Sequence, residues 1–97
     1  MNNKEFYNEA FKGYTVPEKL KNCSIEICNT FNIKGICDPM YICNNIAFTL
    51  EIGDGHSNFN NDSINCEKIT KTINTISNCY MNIDKDKLEK IILNKLL

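Results

Sequence analysis

The sequence predicts an all-α fold, a compact bundle of four main helices with a short N-terminal helix before them. Three observations lead there. Apolar residues recur at spacings of three and four in several separate segments, the period of one helix face. Residues that favour helix starts stand before those segments. The connections between segments are short, which favours antiparallel neighbours.

Residues 3–12 place Phe6, Tyr7, Ala10 and Phe11 on one face of a short helix, which Gly13 is suited to end. Thr15-Val16-Pro17-Glu18 opens a helix expected over 16–32. Thr15 can cap it, Pro17 is preset for the first turn, and Glu18 suits the positive end of the dipole. Leu20, Cys23, Ile27 and Phe31 form its stripe, and Gly35 falls in the break that follows. Asp38-Pro39 opens a helix expected over 39–52, with Ile42, Cys43, Ile46, Ala47 and Leu50 on one side. Phe48-Thr49-Leu50-Glu51-Ile52 also alternates like a strand, but the helix opening and the unbroken spacing favour helix.

Asp62-Ser63 reads as the cap of a helix over 63–81, in which Cys66, Ile69, Ile73, Ile76 and Tyr80 step by three and four. A strand cannot place those residues on one face. Asp84 or Asp86 opens a last helix over 85–96. Leu88, Ile91, Ile92 and Leu96 form its inner side, and Lys85, Lys87, Glu89 and Lys90 face water. This basic amphipathic helix could lie on a membrane or a partner, but docking as the fourth wall of the bundle is the simpler use of its apolar side.

The 97 residues suffice for a single domain, and 42% hydrophobic with 24% charged residues is a globular balance. The abundance of Asn, Ile and Lys reads as the mark of an A+T-rich coding sequence. The net charge of −1 and the complete absence of Arg argue against nucleic-acid recognition. No stretch approaches the roughly 20 apolar residues of a membrane span. The first fifteen residues contain no apolar secretion core, so the expected location is cytoplasmic.

Six cysteines stand at positions 23, 28, 37, 43, 66 and 79. An even count suits disulfides, whereas a cytoplasmic location keeps thiols reduced. No Cys-x-x-Cys pair is present, and Cys23 and Cys28 point about 140° apart on one helix, so a metal site would have to draw on several helices. Core packing is the main expectation for the thiols, with Cys23, Cys43 and Cys66 inside apolar stripes. Cys37 differs. It sits in a loop just before a helix start, where thiolate is favoured, and it is the candidate reactive thiol.

The stretch 53–61 is a loop dense in turn formers. Asp54, His56, Asn58 and Phe59 make it the candidate partner-binding loop, with Phe59 either plugging the core or anchoring a partner. Its oxygen-bearing residues alternate, but Phe59 and Asn65 occupy the places where a calcium loop needs Gly and Glu. Gly55-His56-Ser57 and Asp62-Ser63-Ile64 resemble, over a few residues, the serine of carrier proteins that bears phosphopantetheine. Asn58 stands where that pattern has Leu, and helix capping accounts for Ser63.

His56 is the only histidine, nothing in the spacing sets it beside a thiol, and the carboxylates fall mostly in first helical turns. No catalytic residue, cofactor or metal is therefore expected. The chain is expected to be a small non-enzymatic binding protein, of regulator, immunity-protein or inhibitor type, acting on another protein, with a homo-oligomer also compatible. The alternatives are a cysteine-liganded metal or iron–sulfur protein and a disulfide-stapled extracellular helical protein.

Overall fold

A computed structural model describes residues 2–52 and 64–97. Within them the chain forms α1 (Asn3–Ala10), α2 (Glu18–Thr30), α3 (Asp38–Leu50), α4 (Cys66–Cys79) and α5 (Lys85–Leu96), with no strand among the described residues. The all-α architecture is as expected, and Phe48 to Leu50, which alternate like a strand, end α3.

Local chemistry sets the helix ends, and several lie inside the expected ranges. Asn2 caps α1 by accepting the Glu5 N–H at 2.8 Å. After it the chain turns through Gly13 at φ +84, a conformation natural to glycine. Pro17, not Thr15, occupies the cap position of α2, with extended ψ and no side-chain cap. At the other end Asn32 turns left-handed at φ 57, and the Ile33 N–H reaches back to the Cys28 carbonyl at 2.9 Å. α3 stops the same way at Glu51, φ 53, with the buried Ile52 N–H on the Ala47 carbonyl at 3.4 Å.

The largest correction concerns α4. It begins at Cys66 rather than 63, because Asn65 supplies the cap by accepting the Lys68 N–H at 2.9 Å. Asp62 and Ser63 lie outside the described residues. α5 begins and ends as expected, with the Asp84 carboxylate accepting from the Asp86 and Lys87 N–H groups.

Helices α2 to α5 close a ring in which each packs on the next and α5 returns to α2. Ser24 lies opposite Pro39 and Leu20 opposite Cys43, so α2 and α3 run antiparallel. Thr49 meets Thr72 and Tyr41 meets Cys79, so α3 and α4 do too. α1 rests on α3, and its Tyr7 hydroxyl donates to the Asn29 side chain of α2 at 2.8 Å. The shortest dimension of 19 Å is two helices thick. Between the layers lie the fully buried Leu20, Ile27, Ile42, Ile46, Leu50, Ile76, Leu88, Ile92 and Leu96. α3 therefore touches three helices and keeps only a narrow outer strip of its own.

Candidate functional site

Four of the six cysteines lie along the lengths of α2 and α3 or at the start of α3, and that stretch separates them into two kinds. Cys23 and Cys28 of α2 and Cys43 of α3 are buried, each at most 1% exposed. Ser24, also buried, donates to the Pro39 carbonyl at 2.6 Å, and the Cys43 thiol donates to the Leu20 carbonyl at 3.8 Å. Burial pushes the Cys23 thiol up to about 12, and the neighbouring Cys43 adds to the effect. It pushes Cys28 up to about 12, with Asp38 and Cys43 reinforcing. Cys43 rises to about 11, moderated by Ser24 and Lys21. These three stay neutral at physiological pH and behave as small packed hydrophobes with weak donors. All six cysteines are free thiols.

Cys66 departs from its expected place in the core. As the first residue of α4 it precedes the part of the helix that packs inward, and it is exposed. Cys28, which falls off the expected stripe, is buried instead, because α2 is covered by both α3 and α5.

The opposite, outer side of α3 is open. Tyr41 and Phe48 are separated by two turns and point the same way, with Asn44 exposed between them. Phe48 is 77% exposed and Tyr41 47%. Lys71 of α4 sits 5.9 Å from the centre of the Phe48 ring. Ala47, Phe48, Glu51 and Lys71 line a depression of about 380 Å³. Beside it the Glu51 carboxylate pairs with Lys68 at 3.0 Å, a hydrogen bond that lowers its pKa.

Towards the start of α3, Tyr41 shares a hydrogen bond with the Cys79 thiol at 3.3 Å, which raises the phenol's pKa, and packs edge-on against Tyr80 with ring centres 6.4 Å apart. The Tyr80 hydroxyl donates to the Asp38 carboxylate at 3.0 Å; burial first and that carboxylate second raise its pKa. Gly35 makes this possible, because a Cβ there would collide with the Asp38 carboxylate. The latch joins the start of α3 to the end of α4, just before the exposed Met81.

Cys37, the candidate reactive thiol, occupies the cap position of α3. It is exposed, its side chain makes no capping bond, and its carbonyl accepts the Tyr41 N–H at 3.1 Å. Asp54, His56, Asn58 and Phe59 lie outside the described residues, as does the region resembling the carrier-protein serine. Among the described residues, no three Cys, Asp, Glu or His side chains gather as metal ligands, and no helix is long and apolar enough to cross a membrane. A second hollow of about 490 Å³ lies between α1 and the end of α2, lined by Phe6, Tyr7, Asn29, Asn32 and Lys34 among others. Tyr41 and Phe48 were not among the expected binding residues. Their signal was present in the sequence: two aromatic residues seven apart, off the apolar stripe of a helix with no Lys, Asp or Glu between its ends. No protein-family model, curated protein or solved structure matches the chain.

Proposed function

We propose that the chain is a small non-enzymatic binding protein, of regulator, immunity-protein or inhibitor type, whose working surface is the outer face of α3 with its border on α4. The observation that carries this reading is the exposure of Phe48 beside Tyr41 on an otherwise uncharged helix face. Interface centres are depleted of charge and enriched in aromatic residues, and an exposed ring on a rigid helix loses little entropy on binding. α3 is held by three neighbours, so the two rings sit on a pre-organised support. Site residues beyond these are Asn44 and Lys71, with Cys37 as an accessible thiol at the same end as Tyr41. A cytoplasmic site of action goes with this reading, since three neighbouring thiols packed free in the core suit a reducing compartment.

The test is capture of a partner from extracts of the native cell by immobilised chain, with Phe48→Asp in parallel. Phe48→Asp is expected to keep the helical spectrum and thermal midpoint of the parent and to lose the partner. Capture of the same proteins by both would refute the assignment of this face.

A further inference from the structure

We infer that the hollow between α1 and the end of α2 is a binding site for a small aromatic carboxylate, its ring among Phe6, Tyr7 and Ile33 and its one negative charge against Lys34 and the Asn29 amide. The site shares no lining residue with the hollow on the α3 face, and its test is independent of that face.

The floor decides what kind of body fits. The hollow measures about 490 Å³, inside the roughly 300–1,000 Å³ typical of small-molecule pockets. Its apolar part is Phe6, Tyr7, Cys28 and Ile33. The Phe6 and Tyr7 rings meet edge to face, with centres 5.0 Å apart. An aromatic corner of this kind can take a third ring, edge-on or offset. The Cys28 thiol is buried and, with its pKa pushed up to about 12, brings no charge to the floor at neutral pH. The corner is also fixed in place, because the Tyr7 hydroxyl of α1 donates to the Asn29 side chain of α2 at 2.8 Å.

The rim decides the charge. It consists of Asn3, Asn29, Asn32 and Lys34, so no carboxylate lines the hollow and its one charged group is an ammonium. Lys34 has no hydrogen-bond or ion-pair partner among the described residues. The Asn29 oxygen is taken by Tyr7, which leaves the NH2 group of that amide to donate. Asn32, left-handed at φ 57, brings a further amide to the same rim. An ammonium beside amide donors matches the acceptors of a carboxylate. Two acids act on the floor from outside the lining, Glu26 on Tyr7 and Asp38 on Cys28. A single ammonium with those neighbours suits one negative charge, and disfavours a phosphate dianion.

The test is a titration of isotopically labelled chain with indole-3-acetate, followed through the backbone N–H resonances. Saturable movement is expected in residues 3–10 and 28–34 and not in 41–48, with a dissociation constant on the order of 1 mM for a ligand of this size. Indole-3-acetamide, which keeps the ring and lacks the charge, should bind more weakly, and inorganic phosphate should not bind there. Lys34→Gln should weaken indole-3-acetate by about threefold and leave the acetamide unchanged. Asn29→Asp still accepts from Tyr7 but replaces the donor with a charge, and should weaken indole-3-acetate by about tenfold or more. Both variants should keep the helical spectrum and thermal midpoint of the parent. Absence of movement in residues 3–10 and 28–34 at tens of millimolar overturns the inference. So does equal binding of the acid and its amide, tighter binding of phosphate, or binding unmoved by both substitutions.

Discussion

The seam between α2 and α3 and the outer strip of α3 bordering α4 share a helix and residue types, and differ in what surrounds them. On the α2 side, Cys23, Cys28 and Cys43 are enclosed by Leu20, Ile27, Ile42 and Ile46, and the one polar side chain among them, Ser24, spends its hydroxyl on a backbone carbonyl. On the α4 side, Cys79 and Tyr41 meet at the surface, and Phe48 stands out of it. A thiol in the first setting is filling; a thiol in the second is reachable. Residue type therefore does not decide what a cysteine does in this chain. The number of helices covering it does.

Four experiments break or sharpen that contrast. The largest effect belongs to the sealed side. Ile46→Ala removes a side chain with no exposed surface and should cost about 3 kcal/mol in urea denaturation. Phe48→Ala, two positions along the same helix, should stay within about 0.5 kcal/mol. Equal losses would mean that the outer strip is covered in solution.

The thiols come next. Their folded pKa values are raised from an ordinary 9.0 to about 12, 12 and 11. The unfolded chain therefore releases these protons first as pH rises. Stability from this source is complete below pH 9, and is lost as the pH climbs from there through the folded values. Each buried thiol can withdraw at most about 1.4 kcal/mol per pH unit in that window. A Cys43→Ala variant should show a shallower alkaline loss than the parent. In native protein at neutral pH, alkylation should modify Cys37, Cys66 and Cys79 promptly and the other three only as fast as the chain opens.

The third test lies inside the α3–α4 seam, where the buried hydroxyls of Thr49 and Thr72 share a hydrogen bond of 2.6 Å. Thr49 can also bond the Asn45 carbonyl and Thr72 the Lys68 carbonyl. Thr72→Val should cost about 1 kcal/mol. Adding Thr49→Val should cost less than a second equal step, since the hydrogen bond the two hydroxyls share is lost only once.

The smallest effect is expected at the rim. Gly35→Ala pushes the Asp38 carboxylate aside and should cost about as much as losing its bond from Tyr80, on the order of 1 kcal/mol or less. In a Tyr80→Phe background the added cost of Gly35→Ala should fall towards zero. Additive losses would place the strain in the turn rather than in the latch.

Much of the fold was legible in the residues. α5 matches its expected limits because Asp84 caps it, and the 3.6-residue period selects Leu88, Ile92 and Leu96 without help from elsewhere. α4 was placed three residues early, because Asp62-Ser63 and Asn65 all read as caps in the sequence, and it is the Asn65 side chain that accepts the Lys68 N–H. The strand-like end of α3 was settled by packing: Leu50 is buried as the last residue of the helix, and Ile52 reaches the core through a left-handed turn at Glu51 rather than by alternation. The site was less legible. Tyr41 and Phe48 lie off the stripe that periodicity reports. Their exposure depends on where α1, α2 and α4 stop covering α3.

The sequence by itself determined that this chain coils, where its helices run to within a few residues, and which side of most helices is oily. Those are local consequences of spacing and capping, available to any segment before it meets another. The tertiary structure alone decided which thiols are sealed, that the Cys66 end of α4 is left in water, and that an aromatic pair on α3 remains uncovered. Those outcomes depend on which helices become neighbours, and neighbours are chosen by the burial of the whole apolar surface at once.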